Sequence, residues 1–132
     1  HIHLIPPEDY NITPFYKVAD VLLTEASSTI YEMLACGKPV VVNGFFKLKL
    51  SHRLFKYRLY KKRLNQEMEK DISSFCFEAH KPSDIPMALD SAFNRFSSKQ
   101  DKVKEHQKKM LFKLDGLAAS RAKEIILSYK NN

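Results

Sequence analysis

The sequence has few glycines and cysteines, no tryptophan and no long apolar run among its 132 residues. Its three glycines form neither a P-loop nor a G-x-G-x-x-G dinucleotide fingerprint. Cys36 and Cys76 lie far apart and outside any C-x-x-C pair, which excludes a disulfide scaffold and a cysteine zinc site and suits a reducing compartment. No stretch approaches the roughly 18 uncharged apolar residues of a membrane-spanning helix. We predict no metal and no cofactor.

Charge is unevenly distributed along the chain. The formal net charge is +7, yet residues 1–44 carry −3, residues 45–70 carry +7 and residues 71–132 carry +3. A hydrophobic content of 44% is enough for a core, and the length fits a single domain over residues 1–132. Because the chain opens with His1 and an apolar run over Ile2–Ile5, we expect it to belong to a longer protein.

Residues 1–44 alternate between strand and helix patterns. Strands are predicted over Ile2–Ile5, 20–24 and 39–43, with a helix from Thr13-Pro14 that places Phe15, Val18 and Ala19 on one face, and a helix with Ile30, Met33 and Leu34 inward that ends at Gly37. This βαβαβ order predicts an α/β fold, a Rossmann-like parallel sheet flanked by helices.

The second half continues the pattern. The predicted elements are a basic helix over 50–64, a strand over Ser73–Glu78, a helix capped by Ser83 with Ile85, Ala88, Leu89, Ala92 and Phe93 inward, a charged helix over Lys99–Leu114, a turn at Asp115-Gly116 and a closing helix over Ala118–Tyr129.

Residues 24–32, T-E-A-S-S-T-I-Y-E, are the segment most able to carry chemistry. A buried strand ends there and a helix begins, and ligands of open α/β sheets gather at the carboxyl ends of strands. The unpaired N–H groups of the helix start and the hydroxyls of Ser27 and Ser28 suit a phosphate, and Glu32 could reach a ribose diol. The alternative is structural: a serine cap, or a capping box from Thr29 to Glu32.

The run A-D-V-L-L-T-E-A-S-S-T-I-Y-E-M-L-A-C-G-K-P-V-V-V over residues 19–42 resembles the donor-binding motif of GT-B glycosyltransferases. It is more closely similar to that of the CDP-glycerol glycerophosphotransferases, the teichoic-acid polymerase family. L-D-G-L-A-A-S-R over residues 114–121 resembles a D-G-x-A-x-x-R stretch near the C-terminus of that family.

The resemblance implies a role for each matching residue. The chain would be the C-terminal, donor-binding half of a GT-B transferase. Ala26, Ser27 and Ser28 would hold the donor diphosphate, Glu32 the ribose, and Leu4, Ile5 and Pro6 would lie at the nucleotide base. The catalytic histidines of the family belong to upstream segments, so no catalytic residue is assigned. His52, His80 and His106 match no motif and are expected at the surface.

The basic segment Phe45–Arg63 interleaves lysine and arginine with leucine and aromatic residues. It fits a helix on an anionic membrane or a groove for a polyanionic acceptor, contacted by Arg53, Lys56, Arg58, Lys61, Lys62 and Arg63. It also fits a solvated helix packed on the sheet. Nucleic acid is the least favoured partner of this segment.

Two classes of function stay open. The first is an enzyme half that binds CDP-glycerol or a nucleotide sugar while a polymeric or lipid-linked hydroxyl acceptor attacks it. We expect such an enzyme in the cytoplasm, with peripheral attachment to the inner face of the cell membrane as an option. Within that class, a GT-B glycosyltransferase or a UDP-sugar 2-epimerase is the alternative. The second is a nonenzymatic basic module for anionic membranes or nucleic acid.

Overall fold

A computed structural model describes residue 2 and residues 4–6, 11–45 and 72–130. The helices are α1 (Thr13–Val18), α2 (Thr29–Ala35), α3 (Ile85–Arg95), α4 (Gln100–Met110) and α5 (Ala118–Lys130); the strands are β1 (Leu22–Thr24), β2 (Val40–Asn43) and β3 (Phe77–Ala79); Pro82–Asp84 and Phe96–Lys99 are 3-10 turns.

The three strands form a parallel sheet in the order β1-β2-β3. Leu22 is paired with Val40 across β1 and β2, and Val41 with Phe77 across β2 and β3. Each parallel crossover needs a connection that returns the chain to the same end of the sheet, and α2 supplies it between β1 and β2. The carboxyl ends of all three strands therefore lie at one edge of the sheet.

Helices cover both faces of this sheet. Side chains alternate along a strand, so Val40 and Val42 contact one cluster, shared with α1, α2 and α4, whereas Val41 contacts a second cluster with α3. A valine run buried on both faces is typical of a parallel sheet. The predicted α/β fold with a helix-flanked parallel sheet is confirmed.

The end of α2 follows its predicted chemistry. Gly37 has a φ of +69°, a backbone conformation that a side chain disfavours, and its N–H donates to the Leu34 carbonyl at 2.9 Å. Ile30, Met33 and Leu34 are buried as the helical spacing predicted. Pro39 is also buried and leads directly into β2.

One predicted strand is wrong in the described residues, and another is correct only in its last two residues. Residues 2, 4 and 5 are not in a strand, and Ile2 and Leu4 are 94% and 85% exposed. Residues 72–75 are helical, with Cys76 N–H donating to the Ile72 carbonyl at 2.8 Å, so β3 begins only at Phe77. The β propensity of residues 73–78 did not decide their conformation. Phe75 is buried as part of a helical turn, and this packing outweighs the propensity.

Several inward-facing predictions also need correction. In α1 the buried residue is Tyr16, while Val18 is 77% exposed. In α3 the small residues Ala88 and Ala92 face the sheet, and Phe93, about 100° further round the helix, is 58% exposed. Ser83 lies in a 3-10 turn, and the N-cap of α3 is Asp84, with no side-chain cap hydrogen bond.

The last helix lies largely in solvent. No residue of α5 is buried, and Ile126 and Tyr129 are 67% and 79% exposed. Among the described residues, no helix is long and apolar enough to cross a membrane.

Candidate functional site at the carboxyl end of strand β1

Three hydroxyl groups meet where β1 ends. The Oγ of Ser27 lies 2.6 Å from the Oγ1 of Thr29, and the Oγ1 of Thr24 lies 3.3 Å and 3.4 Å from these two atoms. Each hydroxyl can donate or accept, so the O–H directions are set by the surroundings. We call Thr24, Ser27 and Thr29 the hydroxyl cluster.

The hydroxyls of the cluster contact one another at unequal distances. The two contacts of Thr24 exceed the usual 2.7–2.8 Å of O–H···O bonds, so they hold its proton weakly. All three side chains are half-buried rather than buried, so a ligand can reach them.

The helix start does not use its side chains as caps. Ser28 is the N-cap of α2, yet it has helical dihedral angles and makes no side-chain cap hydrogen bond. The backbone N–H groups of Ile30 and Tyr31 donate to the carbonyls of Ser27 and Ser28 at 3.3 Å and 3.0 Å. Within residues 11–45, no Glu32 carboxylate bond to the Thr29 amide closes a capping box. The side-chain caps of the structural alternative are therefore not formed. The expectation of unpaired N–H groups is also wrong for Ile30 and Tyr31, because both already donate to carbonyls of the turn.

The predicted phosphate residues separate into two groups. Ser27 belongs to the hydroxyl cluster, whereas Ala26 and Ser28 are exposed on the bend before α2. Thr24 and Thr29 were missed as site residues, although both stand within the quoted motif. Each carries a hydroxyl group at one end of the turn. The sequence does not show that the turn brings these two ends together.

Electrostatics at this edge come mainly from acidic side chains. Glu25 and Glu32 are both exposed beside the hydroxyl cluster in sequence. Lys38 is turned away from it: its Nζ donates to the Lys17 and Ala19 carbonyls at 2.6 Å and 2.7 Å, at the end of α1. This lysine is therefore not available to an anion at the hydroxyl cluster.

The chain matches no family model, no curated protein and no solved structure.

Other predicted site residues lie away from the hydroxyl cluster or outside the description. Leu4, Ile5 and Pro6 are exposed on the chain that precedes α1, and their role at a nucleotide base stays a prediction. The predicted membrane or acceptor contacts lie outside the described residues: Arg53, Lys56, Arg58, Lys61, Lys62 and Arg63. Among the described residues, no group of three or more His, Cys, Asp and Glu side chains could hold a metal ion.

The histidine prediction is wrong for His106 and right for His80. His106 is 7% exposed, stacked on Tyr31 at 5.3 Å and tilted against Phe75 at 4.6 Å between ring centroids. Its ring contacts join α4 to α2. The sequence of α4 is charged and has few apolar residues, so it did not predict this packing. His80 is exposed, with its Nε2 3.5 Å from a Glu78 carboxylate oxygen. His52 lies outside the described residues.

The D-G segment has a local structural explanation. The Asp115 carboxylate accepts hydrogen bonds from the Leu117 N–H at 3.0 Å and from the Arg121 Nη1 at 2.8 Å and 3.0 Å. The Arg121 guanidinium and the Leu117 N–H hold the pKa of Asp115 below its ordinary value. Gly116 has a φ of +73° between them. This stretch builds the start of α5 and adds no separate site.

Proposed function

We propose that this chain binds a nucleotide-diphospho donor at the carboxyl end of β1, as the donor-binding half of a GT-B transferase. The observation that carries the proposal is the hydroxyl cluster, which stands where a parallel strand gives way to a helix. Ligands of open α/β sheets occupy this edge. The resemblance of residues 19–42 to the glycerophosphotransferase motif adds the donor class, CDP-glycerol.

The donor would lie along the turn from Thr24 to Glu32. Its diphosphate would accept hydrogen bonds from the cluster hydroxyls, and its ribose would lie against the Glu32 carboxylate one helical turn away. When an acceptor hydroxyl attacks, negative charge develops on the leaving nucleotide, which is CMP in glycerol phosphate transfer and the nucleoside diphosphate in sugar transfer, and donors fixed in place would stabilise that charge. Attack falls on phosphorus for glycerol phosphate transfer and on the anomeric carbon for sugar transfer.

A membrane-linked or polymeric acceptor remains a further part of this proposal. It rests on the basic composition of residues 45–70. Most of that segment lies outside the described residues, so its argument is one of charge: an excess of lysine and arginine attracts polyanions and anionic lipid. This contact would place the protein at the inner face of the cell membrane.

Isothermal titration of the 132-residue chain tests the donor site. We expect binding of CDP and CDP-glycerol, weakened at least about tenfold in the double variant Ser27→Ala/Thr29→Val, because hydrogen bonds to a charged ligand are the strong ones. The matched control is Ser120→Ala, which removes an exposed hydroxyl from α5. Equal affinity of the double variant and the control would contradict the proposed site.

The same titration separates the transferase alternatives. CDP-glycerol bound more tightly than UDP-N-acetylglucosamine supports glycerol phosphate transfer. The reverse order supports a glycosyltransferase or a UDP-sugar 2-epimerase. A chain that binds neither ligand but sediments with anionic vesicles would favour the nonenzymatic basic module.

A further inference from the structure

A cavity of about 230 Å³ lies between α4 and the helical turn that precedes β3. We call it the α4 cavity, and the residues that line it are Ser74, Phe75, Lys102, Glu105, His106 and Lys109. Its volume is below the roughly 300–1,000 Å³ of pockets for drug-sized ligands. It is nevertheless several times the ~30 Å³ that one water molecule occupies in the liquid. The α4 cavity therefore suits a small molecule rather than a nucleotide.

Two aromatic rings form the inner wall of the α4 cavity. Phe75 and His106 are 1% and 7% exposed, and their ring centroids lie 4.6 Å apart. The His106 ring also stacks on Tyr31 of α2 at 5.3 Å. Lys99 ties the turn before β3 to the start of α4, because its Nζ donates to the Ser74 carbonyl at 3.1 Å. The wall is thus held in place before a ligand arrives, so binding costs less conformational freedom.

Two exposed lysines of α4 line the outer part of the α4 cavity. Lys102 and Lys109 are two helical turns apart, about 10 Å along the helix axis, so both ammonium groups can bend toward one ligand between them. Glu105 stands between them in sequence. Within the part of the chain that the structure describes, no salt bridge joins Glu105 to either lysine. The positive charge at the α4 cavity is therefore not neutralised by that carboxylate.

The neighbouring Lys99 shows the effect of this positive charge. Burial lowers the pKa of Lys99, the Cys76 thiol acts in the opposite direction, and repulsion from the Lys102 ammonium lowers that pKa further. An anion bound beside Lys102 would offset the repulsion between the two ammonium groups. The charge around the α4 cavity thus favours a negatively charged ligand.

We propose that the α4 cavity binds a small phosphate monoester that carries hydroxyl groups, a polyol phosphate. A phosphate monoester has a charge of about −1.5 to −2 at pH 7, which matches the two ammonium groups of Lys102 and Lys109. The Glu105 carboxylate repels phosphate but accepts hydrogen bonds from hydroxyl groups, so it favours the polyol part of such a ligand. The α4 cavity shares no residue with the hydroxyl cluster, and its ligand binds independently of the nucleotide donor.

Isothermal titration of the 132-residue chain with three probes tests the class of ligand. The probes are glycerol 3-phosphate, glycerol without the phosphate, and n-propyl phosphate without the hydroxyl groups. We expect glycerol 3-phosphate to bind, n-propyl phosphate to bind about three- to tenfold more weakly, and glycerol to give no binding heat. If n-propyl phosphate bound as tightly as glycerol 3-phosphate, or if neither bound, the proposed ligand class would be wrong.

Variants of α4 test the position of the site. Lys102→Gln/Lys109→Gln should weaken glycerol 3-phosphate binding at least about tenfold, because two charged donors are lost. The matched control is Lys104→Gln/Lys108→Gln, which removes two exposed lysines of the same helix outside the cavity wall and should change the affinity less than about threefold. Glu105→Gln should reduce the preference for glycerol 3-phosphate over n-propyl phosphate. Circular dichroism confirms that each variant is folded.

The outcomes also separate the α4 cavity from the donor site. Equal losses in the two lysine pairs would reveal general attraction to a basic helix and would overturn the cavity site. Glycerol 3-phosphate binding that is retained in Ser27→Ala/Thr29→Val supports a separate site, whereas its loss there would place the ligand at the hydroxyl cluster and overturn the inference. A chain that binds glycerol 3-phosphate in the cavity but does not bind CDP contradicts the proposed function alone.

Discussion

The two cysteines occupy opposite environments, although the sequence gives neither a motif. Cys36 is exposed at the end of α2, whereas Cys76 is 2% exposed before β3. Burial raises the pKa of the Cys76 thiol to about 12, and the nearby Lys99 ammonium offsets only part of that effect. Thiolates are the reactive species, so burial and protonation both protect Cys76.

Thiol labelling checks this difference at the residue scale. At pH 8, the native chain should react with one equivalent of Ellman's reagent at Cys36, and with a second only after unfolding in urea. The variant Cys36→Ser should show no rapid reaction in the native state. Rapid labelling of both thiols in the folded chain would contradict the burial of Cys76.

Lysines act as structural cations at the ends of two helical segments. Lys99 donates to the carbonyls of Ser74 and Cys76 at 3.1 Å and 2.8 Å, and burial lowers its pKa. Lys38 donates in the same way at the end of α1. Unpaired carbonyls at a helix end carry partial negative charge, so a cation there is stabilising. The Lys-Pro of the donor motif thus has a structural task in this chain.

Replacing Lys38 tests that task at the scale of the element. Lys38→Met should lower the free energy of unfolding by about 1–3 kcal/mol, because two hydrogen bonds from a charged donor are lost. Lys17→Met is the matched control: it removes an exposed charge from α1 but keeps the Lys17 carbonyl, and should change stability by less than about 0.5 kcal/mol. Urea unfolding followed by circular dichroism measures both. If both variants lowered the free energy of unfolding equally, the loss would come from the removed charge rather than from the two hydrogen bonds of Lys38.

The local pattern predicted most elements of the first third and failed at specific places. Local properties are enough to predict α2. They are the helical spacing of Ile30, Met33 and Leu34 and the left-handed glycine that follows the helix at position 37. Residues 72–75 became a helix against their β-prone letters, because burial of Phe75 beside His106 outweighs a weak propensity. The surface position predicted for His106 was wrong because no local sequence pattern shows that this face of α4 packs against other elements.

At the scale of the whole molecule, charge and binding chemistry are separated. The first 44 residues carry a net −3 and hold the hydroxyl cluster, while the excess of +7 equals the charge of residues 45–70. The proposed donor site would therefore use neutral hydrogen-bond donors. The charge of residues 45–70 suits a polyanionic surface.

Alkaline pH should destabilise the molecule as a whole. The pKa of Tyr16 is raised from 10.0 to about 12 and that of Cys76 from 9.0 to about 12, so the folded state binds more protons than the unfolded state over this range. Their stabilisation is present below about pH 9 and is lost as the pH rises toward 12. Lys99 acts in the opposite sense, because burial lowers its pKa.

Urea midpoints at pH 8.5, 9.5 and 10.5 measure this dependence. The wild-type midpoint should fall with pH, and the double variant Tyr16→Phe/Cys76→Ala should show a shallower fall. A double variant as steep as the wild type would show that other groups dominate the alkaline transition.

The sequence by itself determined the α/β fold class, the two valine- and leucine-rich strands and the buried face of α2, because each follows from periodicity, turn chemistry and strand composition within a few residues. Only the tertiary structure decided that Thr24 and Thr29 join Ser27, that Tyr16 lies beneath α2 and that His106 is buried. These are contacts between elements or across a turn. They depend on how helices and strands pack together, which no local pattern encodes.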